Sequence, residues 1–202
     1  MKDKILEKAT DLFLSLGFKS VTMDDIAQKM GVSKKTIYKY FTNKTALIDS
    51  ATKYMFDKIC SGIEIIHEKD GNAIHELFEI KEFISLHLKN EKSSPQYQLQ
   101  KYYPKIYNWL KQQQYNAMID SVKENLVSGI EQGLYRKDIP VDFTARIYIN
   151  GMNGVRDADI FPASQFEVIK LMDEFLEYHI RAIATEKGIQ ELESQLKLEI
   201  NK

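Results

Sequence analysis

Cysteine, proline and glycine are all scarce in this chain of 202 residues, which contains one Cys, four Pro and nine Gly. A single cysteine cannot form an internal disulfide, which favours a reducing cytoplasm as the compartment. Few Pro and Gly leave few turns for a many-stranded sheet. No apolar run approaches the ~18 residues that span a bilayer, and the charged N-terminus has no signal-peptide pattern. We therefore expect a soluble, all-α, cytoplasmic protein without a membrane partner.

Patterns of catalysis, metal binding and cofactor binding are also missing. We find no Gly-rich phosphate loop and no plausible pair of nucleophile and base. His67 and His75 lie eight residues apart, and no cluster of Cys or acidic residues completes a metal site around them. We expect no enzyme activity, no metal and no cofactor.

Acidic residues are absent from one basic segment near the N-terminus. The formal net charge of the chain is −1, but residues 1–50 hold nine Lys and six acidic residues. Between Ile26 and Ile48 there are five Lys and no Asp or Glu. Such a local field suits a polyanion, although lysines alone are also typical of an ordinary solvated surface.

Apolar residues recur at helical spacing along most of the chain. The pattern predicts helices at about 2–16, 22–30, 34–41, 44–66, 73–88, 104–133, 141–155 and 166–186. We expect residues 90–103 to be irregular, and the long 104–133 segment to kink or break near 112–114. The tail 188–202 is either one more helix or frayed. The predicted domains are residues 1–47 and residues 48–202.

The second and third predicted helices have the features of a helix-turn-helix. Thr22 and Asp25 have the spacing of a capping box that opens the second helix. Ala27 is small where the two backbones approach, and Gly31 tolerates the positive φ of the turn. Ile26, Met30, Val32 and Ile37 are apolar at the points that hold the pair together.

The third helix then exposes Lys34, Lys35, Thr36, Tyr38 and Lys39, and its first residues would enter a major groove. We predict that Lys34, Lys35 and Thr36 contact base edges, while Lys39 faces flanking phosphates. Contacts with phosphates are predicted for Tyr38, Tyr40, Lys44 and the start of the second helix at Thr22.

These residues give the first quarter of the chain a family resemblance. Thr22, Ile26-Ala27, Gly31-Val32-Ser33, Tyr38, Tyr40-Phe41, Lys44 and Leu47 resemble the N-terminal region of tetracycline-repressor (TetR) family regulators. The resemblance implies an N-terminal three-helix module followed by a helical-bundle regulatory and dimerisation domain. It also implies a homodimeric repressor that binds double-stranded DNA at a palindromic or near-palindromic operator and leaves it when a small-molecule effector binds. Lys34, Lys35 and Lys39 are specific to this sequence and leave the operator unknown.

The last two predicted helices are apolar over more than one stripe. A surface helix with such a wide apolar face must pack against other residues on both sides. We predict a dimer interface formed by Ile147, Phe166, Ile169, Met172, Leu176, Ile180 and Ile183, with Leu171, Phe175 and Tyr178 extending it sideways. The alternative is burial of these residues inside one subunit.

The sequence predicts an effector pocket less clearly than it predicts the helix-turn-helix. Aromatic residues, Met and convergent polar groups single out Phe83, His87, Tyr103, Trp109, Met118, Asn150 and Asn153. Each of these residues is also compatible with ordinary packing. A different class of function stays open as well: an all-α interaction or adaptor protein that uses the helix-turn-helix as a protein contact.

Overall fold

The structure is a computed structural model that describes residues 1–69, 71–88, 95–157, 159–162 and 164–200. This part of the chain is all-α, which confirms the predicted class. Its ten helices are α1 Lys2–Leu16, α2 Met23–Met30, α3 Lys34–Tyr38, α4 Lys44–His67, α5 Ala73–Leu88, α6 Pro95–Tyr102, α7 Pro104–Glu131, α8 Val141–Gly154, α9 Val168–Ile183 and α10 Glu186–Ile200. The extended pairing within the described residues is one isolated bridge between Tyr135 and Ala184.

Helices α1, α2, α4 and α5 lie where the apolar periodicity predicts them. In α1 the repeat places Ile5, Ala9 and Phe13 on one buried face. The helix ends at Gly17, whose N–H donates to the Phe13 carbonyl. Gly17 has φ 87° and ψ 150°, a positive φ outside the left-handed helical region.

Helix α3 is shorter than predicted and ends at Tyr38 rather than near Phe41. The N–H groups of Tyr40 and Phe41 both donate to the carbonyl of Ile37, which tightens the chain into a turn. This turn buries Phe41, which is 3% exposed. The spacing of Ile37 and Phe41 suggested another helical turn, but their burial is achieved by a bend.

Helix α6 occupies part of the stretch that we predicted to be irregular. Pro95 is its first residue, a position where the missing N–H of proline costs nothing. Leu99 is its buried apolar residue, with 3% exposure. One buried residue gives no periodicity to detect, which explains the wrong prediction. Residues 90–94 of that stretch lie outside the described residues.

Helix α7 runs unbroken for 28 residues, so the predicted break near 112–114 is wrong. The Gln-rich middle of α7 has no apolar stripe, but Gln and Lys are good helix formers. Ile106 belongs to one hydrophobic core, whereas Val122 and Leu126 belong to another. The polar middle marks this change of core and does not end the helix.

The predicted helix 166–186 is divided into α9 and the start of α10. Two backbone hydrogen bonds, Arg136 N–H to Ile183 and Thr185 N–H to Leu134, draw the chain out of the helix after Ile183. Thr185 then caps α10 by accepting from the Gly188 N–H. Of the two outcomes left open for the tail, the helical one is found up to Ile200, and residues 201–202 lie outside the described residues.

The contacts divide the chain into two compact units, each with its own hydrophobic core. Unit 1 comprises residues 1–62 and 86–114, and unit 2 comprises residues 63–85 and 115–202. The core of unit 1 includes Ile5, Ala9, Phe13, Ile26, Ile37, Phe41, Leu47, Ile48 and Leu99. The core of unit 2 includes Ile74, Phe78, Leu126, Tyr135, Ile149, Leu176, Ile180 and Leu192. The predicted functional division at residues 47 and 48 stays a prediction.

Among the described residues, no helix is both long enough and apolar enough to cross a membrane.

Candidate nucleic-acid interface

Helix α2 begins with a reciprocal capping box between Thr22 and Asp25, as predicted. The Asp25 N–H donates to Thr22 Oγ1 at 3.1 Å, and the Thr22 N–H donates to Asp25 Oδ2 at 2.8 Å. The Thr22 hydroxyl donates to the same carboxylate oxygen at 2.7 Å. These hydrogen bonds lower the pKa of Asp25. The Thr22 hydroxyl, which we predicted to bind a phosphate, is therefore engaged within the chain.

The turn after α2 depends on the backbone conformation of Gly31. This residue has φ 64° and ψ 30°, the left-handed helical region. The Gly31 N–H donates to the Gln28 carbonyl, and the Val32 N–H donates to the Ala27 carbonyl at 3.0 Å. This pair of bonds is the Schellman motif that ends helices. Open space surrounds the position of a Cβ at Gly31, so the dihedral angles, not crowding, favour glycine.

The apolar residues predicted to hold the two helices together are in contact with one core. Ile26 and Ile37 are fully buried, and Ala27 is 5% exposed. Met30 and Val32 are partly buried and pack against the same cluster. The predicted helix-turn-helix packing is confirmed at all of these positions.

Helix α3 is capped by Ser33, which accepts from the Thr36 N–H at 3.1 Å. The Thr36 hydroxyl lies 2.9 Å from the Ser33 hydroxyl, so this predicted base contact already has a partner in the chain. Burial of Ile37 turns the opposite face of α3 outward. Lys35 and Lys39 are exposed there, and Tyr38 is 43% exposed.

Lys34 has a partner that the sequence analysis missed. Its ammonium lies 2.7 Å from the carboxylate of Asp24 in the first turn of α2. The hydrogen bond to Asp24 raises the pKa of Lys34. Both side chains are exposed, and such surface pairs contribute little to stability. The helix-turn-helix brings the first turns of α2 and α3 together, which is the signal that would have revealed this pair.

Helix α4 begins beside the loop between α1 and α2. Asn43 caps it by accepting from the Ala46 N–H at 2.8 Å. Half-buried Lys44 donates to the carbonyl of Lys19 at 3.2 Å, and burial lowers the pKa of Lys44. Tyr40 is exposed just before this helix.

The eight predicted DNA-binding residues all lie in unit 1, at the start of α2, along α3 and at the start of α4. They are Thr22, Lys34, Lys35, Thr36, Tyr38, Lys39, Tyr40 and Lys44. Their roles in DNA contact stay predictions.

The seven predicted effector residues are divided between the two units. Tyr103, Trp109 and the backbone of His87 belong to unit 1, and the His87 side chain lies outside the described residues. Phe83, Met118, Asn150 and Asn153 belong to unit 2.

Several of these effector candidates already have ordinary packing partners. The Trp109 ring lies 5.8 Å from the Phe56 ring, measured between centroids, and Met118 packs against the core of unit 2. Asn150 and Asn153 are exposed. The assignment of these residues to a ligand stays a prediction.

The predicted dimer residues fall into two groups. Leu176, Ile180 and Ile183 are buried in the core of their own unit, and Met172 packs against that core. This burial agrees with the alternative that the sequence left open, burial within one subunit, and the assignment of this group to a dimer interface stays a prediction. The exposed members are Ile147, Phe166 and Ile169.

A different stripe of α8 and α9 presents apolar side chains to the surface. Phe143 is 62% exposed one turn before Ile147, and Tyr178 is 69% exposed on α9. Phe175 lies beside Tyr178, and its ring occupies the space that a Cβ at Gly151 would need. The stripe includes Tyr178 and Phe175, which we had expected only at the margin of the interface.

Comparison with known proteins gives three findings. Residues 5–51 match the sequence model of the family described as bacterial regulatory proteins, tetR family. The chain is 33% identical over 85 residues to IcaR of Staphylococcus aureus strain Newman, a biofilm operon HTH-type negative transcriptional regulator. This alignment covers 42% of the chain and 46% of IcaR, so the chain spans about half the length of the curated relative that it matches.

The fold is shared with solved structures along almost the whole chain. A transcriptional regulator from Cytophaga hutchinsonii matches with a TM-score of 0.76 at 20% identity, over 91% of this chain and 98% of that one. A regulator from Saccharomonospora viridis in complex with choline matches with a TM-score of 0.70 at 22% identity, over 92% and 98%. The N-terminal helix-turn-helix segment is thus similar to the tetR family of bacterial regulatory proteins, and the all-α fold of the chain is shared with solved transcriptional regulators.

Proposed function

We propose that this chain is a DNA-binding transcriptional regulator that inserts α3 into the major groove of an operator. One observation carries the proposal: the Schellman motif and the burial of Ile37 hold a short helix with its lysines facing outward. Among the described residues, neither Lys35 nor Lys39 forms an ion pair. The phosphates of a DNA duplex supply negative charges that can pair with these lysines. We assign no enzymatic step to the chain and place its activity in the cytoplasm.

The proposed contacts divide into those that recognise sequence and those that position the protein. Lys35 forms no ion pair among the described residues and is our first candidate for a base edge. Lys34 contacts a base after exchanging its exposed Asp24 partner for DNA, and Thr36 contacts one by reorienting its hydroxyl. Tyr38, Lys39, Tyr40 and Lys44 bind phosphates, together with the first turn of α2 at Thr22.

We propose that the protein acts as a homodimer on a palindromic or near-palindromic operator. The support is the exposed apolar stripe of α8 and α9 in unit 2, which includes Phe143, Ile147 and Tyr178. Large exposed apolar patches mark interaction sites. A twofold dimer presents two copies of α3, and operator symmetry mirrors protein symmetry.

We further propose repression that is relieved by a small-molecule effector. The support for repression is that the relative IcaR is described as a negative regulator. The support for an effector is that a protein of the same fold was solved with choline. The effector residues proposed from the sequence are Phe83, His87, Tyr103, Trp109, Met118, Asn150 and Asn153. DNA release by compounds added to the preformed complex tests this part, with choline included among them.

Selection of duplexes from a random library, followed by fluorescence anisotropy titrations, tests the main proposal. We expect an enriched sequence whose affinity falls steeply as salt rises, because phosphate contacts release counterions. Lys35→Ala changes the preferred sequence, whereas Tyr38→Ala and Lys44→Ala weaken binding to all duplexes alike. Lys137→Ala, an exposed lysine in a turn of unit 2, is the matched control and leaves affinity unchanged.

An absence of salt-dependent affinity for any duplex would contradict the proposal. That outcome would favour the alternative of an interaction or adaptor protein whose helix-turn-helix contacts another protein. Unchanged affinity of both Tyr38→Ala and Lys44→Ala would contradict the docking of α3 while leaving DNA binding itself intact.

A further inference from the structure

A second acid-free segment lies far along the chain from the helix-turn-helix. Between Lys92 and Ile119 there is no Asp or Glu, and the segment holds four lysines. Its described part forms α6 and the first half of α7. Residues up to Gln114 belong to the same compact unit as α1, α2 and α3. A positive segment is thus folded into the unit that carries the proposed DNA-reading helix.

Two lysines meet on one tyrosine ring at the end of α6. The Lys19 ammonium lies 4.7 Å from the centroid of the Tyr102 ring, and the Lys101 ammonium lies 5.6 Å from the same centroid. Lys101 also lies 3.4 Å from the Tyr97 hydroxyl and 5.5 Å from the centroid of the Tyr97 ring. We call these four residues, Lys19, Tyr97, Lys101 and Tyr102, the α6 patch.

The α6 patch adjoins a residue that is already proposed to bind DNA. The Lys19 N–H donates to Gln98 Oε1 of α6 at 3.0 Å, which fixes α6 against the loop between α1 and α2. On the other side of that loop, Lys44 donates to the Lys19 carbonyl at 3.2 Å. Lys19 therefore connects the start of α4, a proposed phosphate contact, with the lysine and tyrosines of α6.

The charges of the α6 patch are not balanced inside the protein. Among the described residues, neither Lys19 nor Lys101 forms an ion pair, and residues 12–23 around Lys19 contain no Asp or Glu. The hydrogen bond with Tyr97 raises the pKa of Lys101. Two like charges close together repel each other, and a polyanion that lies across both relieves this repulsion.

The tyrosines give the α6 patch a second property that suits nucleic acid. Tyr97 is 57% exposed and Tyr102 is 40% exposed, which is unusual for two neighbouring large aromatic residues. Their hydroxyls are donors that commonly bind phosphate and sugar oxygens. Lysines interleaved with exposed tyrosines are better matched to a sugar–phosphate backbone than to a small anion, which would need a concave site.

We propose that the α6 patch is a second DNA contact, which binds the sugar–phosphate backbone of the duplex beyond the base pairs that α3 recognises. The inference rests on the proposed function and extends the footprint of each subunit outward from Lys44. The α6 patch adds affinity for flanking DNA but no sequence preference, because contacts with the backbone carry no sequence information directly.

Two duplexes separate this contact from that of α3. One contains only the selected consensus, and the other adds six or so base pairs at each end. We expect tighter binding of wild type to the longer duplex. Lys19→Gln and Lys101→Gln should each weaken binding of the longer duplex several-fold at low salt and reduce its salt slope by about one. Binding of the short duplex should not change.

Controls distinguish the failure of each proposal. Lys137→Gln, in unit 2, should change neither duplex, and Lys35→Ala should weaken the selected sequence in both. If Lys101→Gln and Lys19→Gln behave like wild type on the longer duplex, the α6 patch is not a DNA contact, while the proposed function stands. If both variants weaken the short duplex as much as the long one, the contact lies within the core site and the flanking assignment is overturned. If wild type binds neither duplex in a salt-dependent manner, both proposals fail together.

Discussion

Gly31 shows how one backbone conformation determines the position of a whole helix. Its left-handed dihedral angles allow the two carbonyls at the end of α2 to be satisfied, and α3 starts three residues later. The sequence alone predicted this role, because a glycine four residues after Ala27 has one structural use in this motif. The Asp24–Lys34 ion pair was not predictable in the same way, because its residues are ten apart and meet only after the turn has formed.

Substitution of Gly31 by alanine tests this role. No atom obstructs a Cβ there, so the cost comes from the left-handed conformation and is about 1–2 kcal/mol. Urea unfolding followed by circular dichroism measures the loss. Gly154→Ala is the matched control, because Gly154 is helical and also has open space, and alanine there should be neutral or stabilising by up to ~1 kcal/mol. Equal effects of the two substitutions would refute the conformational argument.

His179 makes a second prediction, which concerns pH. Its ring is buried 4.6 Å from the Tyr148 ring, measured between centroids, and burial lowers its pKa to about 4. The unfolded chain has an ordinary histidine pKa near 6.5, so it binds a proton first as the pH falls. Stability is therefore intact above pH 6.5 and decreases between pH 6.5 and 4 by at most about 3 kcal/mol.

Comparison of wild type with His179→Leu isolates this effect from the carboxylates that titrate in the same range. Urea unfolding at several pH values should show a smaller loss of stability in the variant below pH 6.5. Parallel stability curves for the two proteins would mean that His179 keeps its ordinary pKa in the folded state.

Among the helices, those with a regular apolar stripe were predictable and those without one were not. Helix α1 repeats its buried residues every three or four positions, so its bounds follow from the sequence. Among the described side chains of α6, Leu99 is the one buried apolar residue, and Gln98 contacts a loop 79 residues away. Helix α7 contributes residues to two different hydrophobic cores. The polar residues between these two groups produce a sequence pattern that resembles a helix break. These properties depend on tertiary contacts that no local pattern records.

Helix α3 is too short to be stable by itself, so its position depends on Ile37. This side chain is fully buried among the residues of the unit 1 core. Ile37→Ala should cost about 2–5 kcal/mol, whereas Ile37→Val should cost about 0.5–1.5 kcal/mol. Thermal or urea unfolding measures both values. We expect Ile37→Val to retain DNA affinity, and an equally small cost for both variants would show that α3 is positioned by other contacts.

For the whole molecule, we propose that the stripe of α8 and α9 joins two chains. Ile147→Glu places a charge in the middle of the proposed interface and should convert a dimer into a monomer of 23.5 kDa. Sedimentation equilibrium measures the mass. Ile65→Glu is the matched control, because Ile65 is also exposed but lies on α4, and it should leave the dimer intact. A monomeric wild type, or a dimeric Ile147→Glu variant, would refute this interface.

The sequence was sufficient to predict the helix-turn-helix and insufficient to predict which apolar residues of α8 and α9 are exposed. The helix-turn-helix is encoded by contiguous residues with fixed spacing, and its packing was predicted at Ala27, Gly31 and Ile37. The sequence grouped Leu176 and Ile180, which are buried, with exposed residues such as Ile147, because all of them have the same apolar character. Periodicity identifies an apolar face, but it does not distinguish the core of one chain from the surface of another.

Methylation protection of guanine N7 on the selected duplex tests the central claim most directly, because that atom is exposed only in the major groove. We predict two protected major-groove patches, one for each α3, separated by a whole number of helical turns of about 10–10.5 base pairs. Lys35→Ala should weaken protection in both patches. Binding that leaves every guanine N7 reactive, or that protects a single patch, would contradict the insertion of paired α3 helices into the operator.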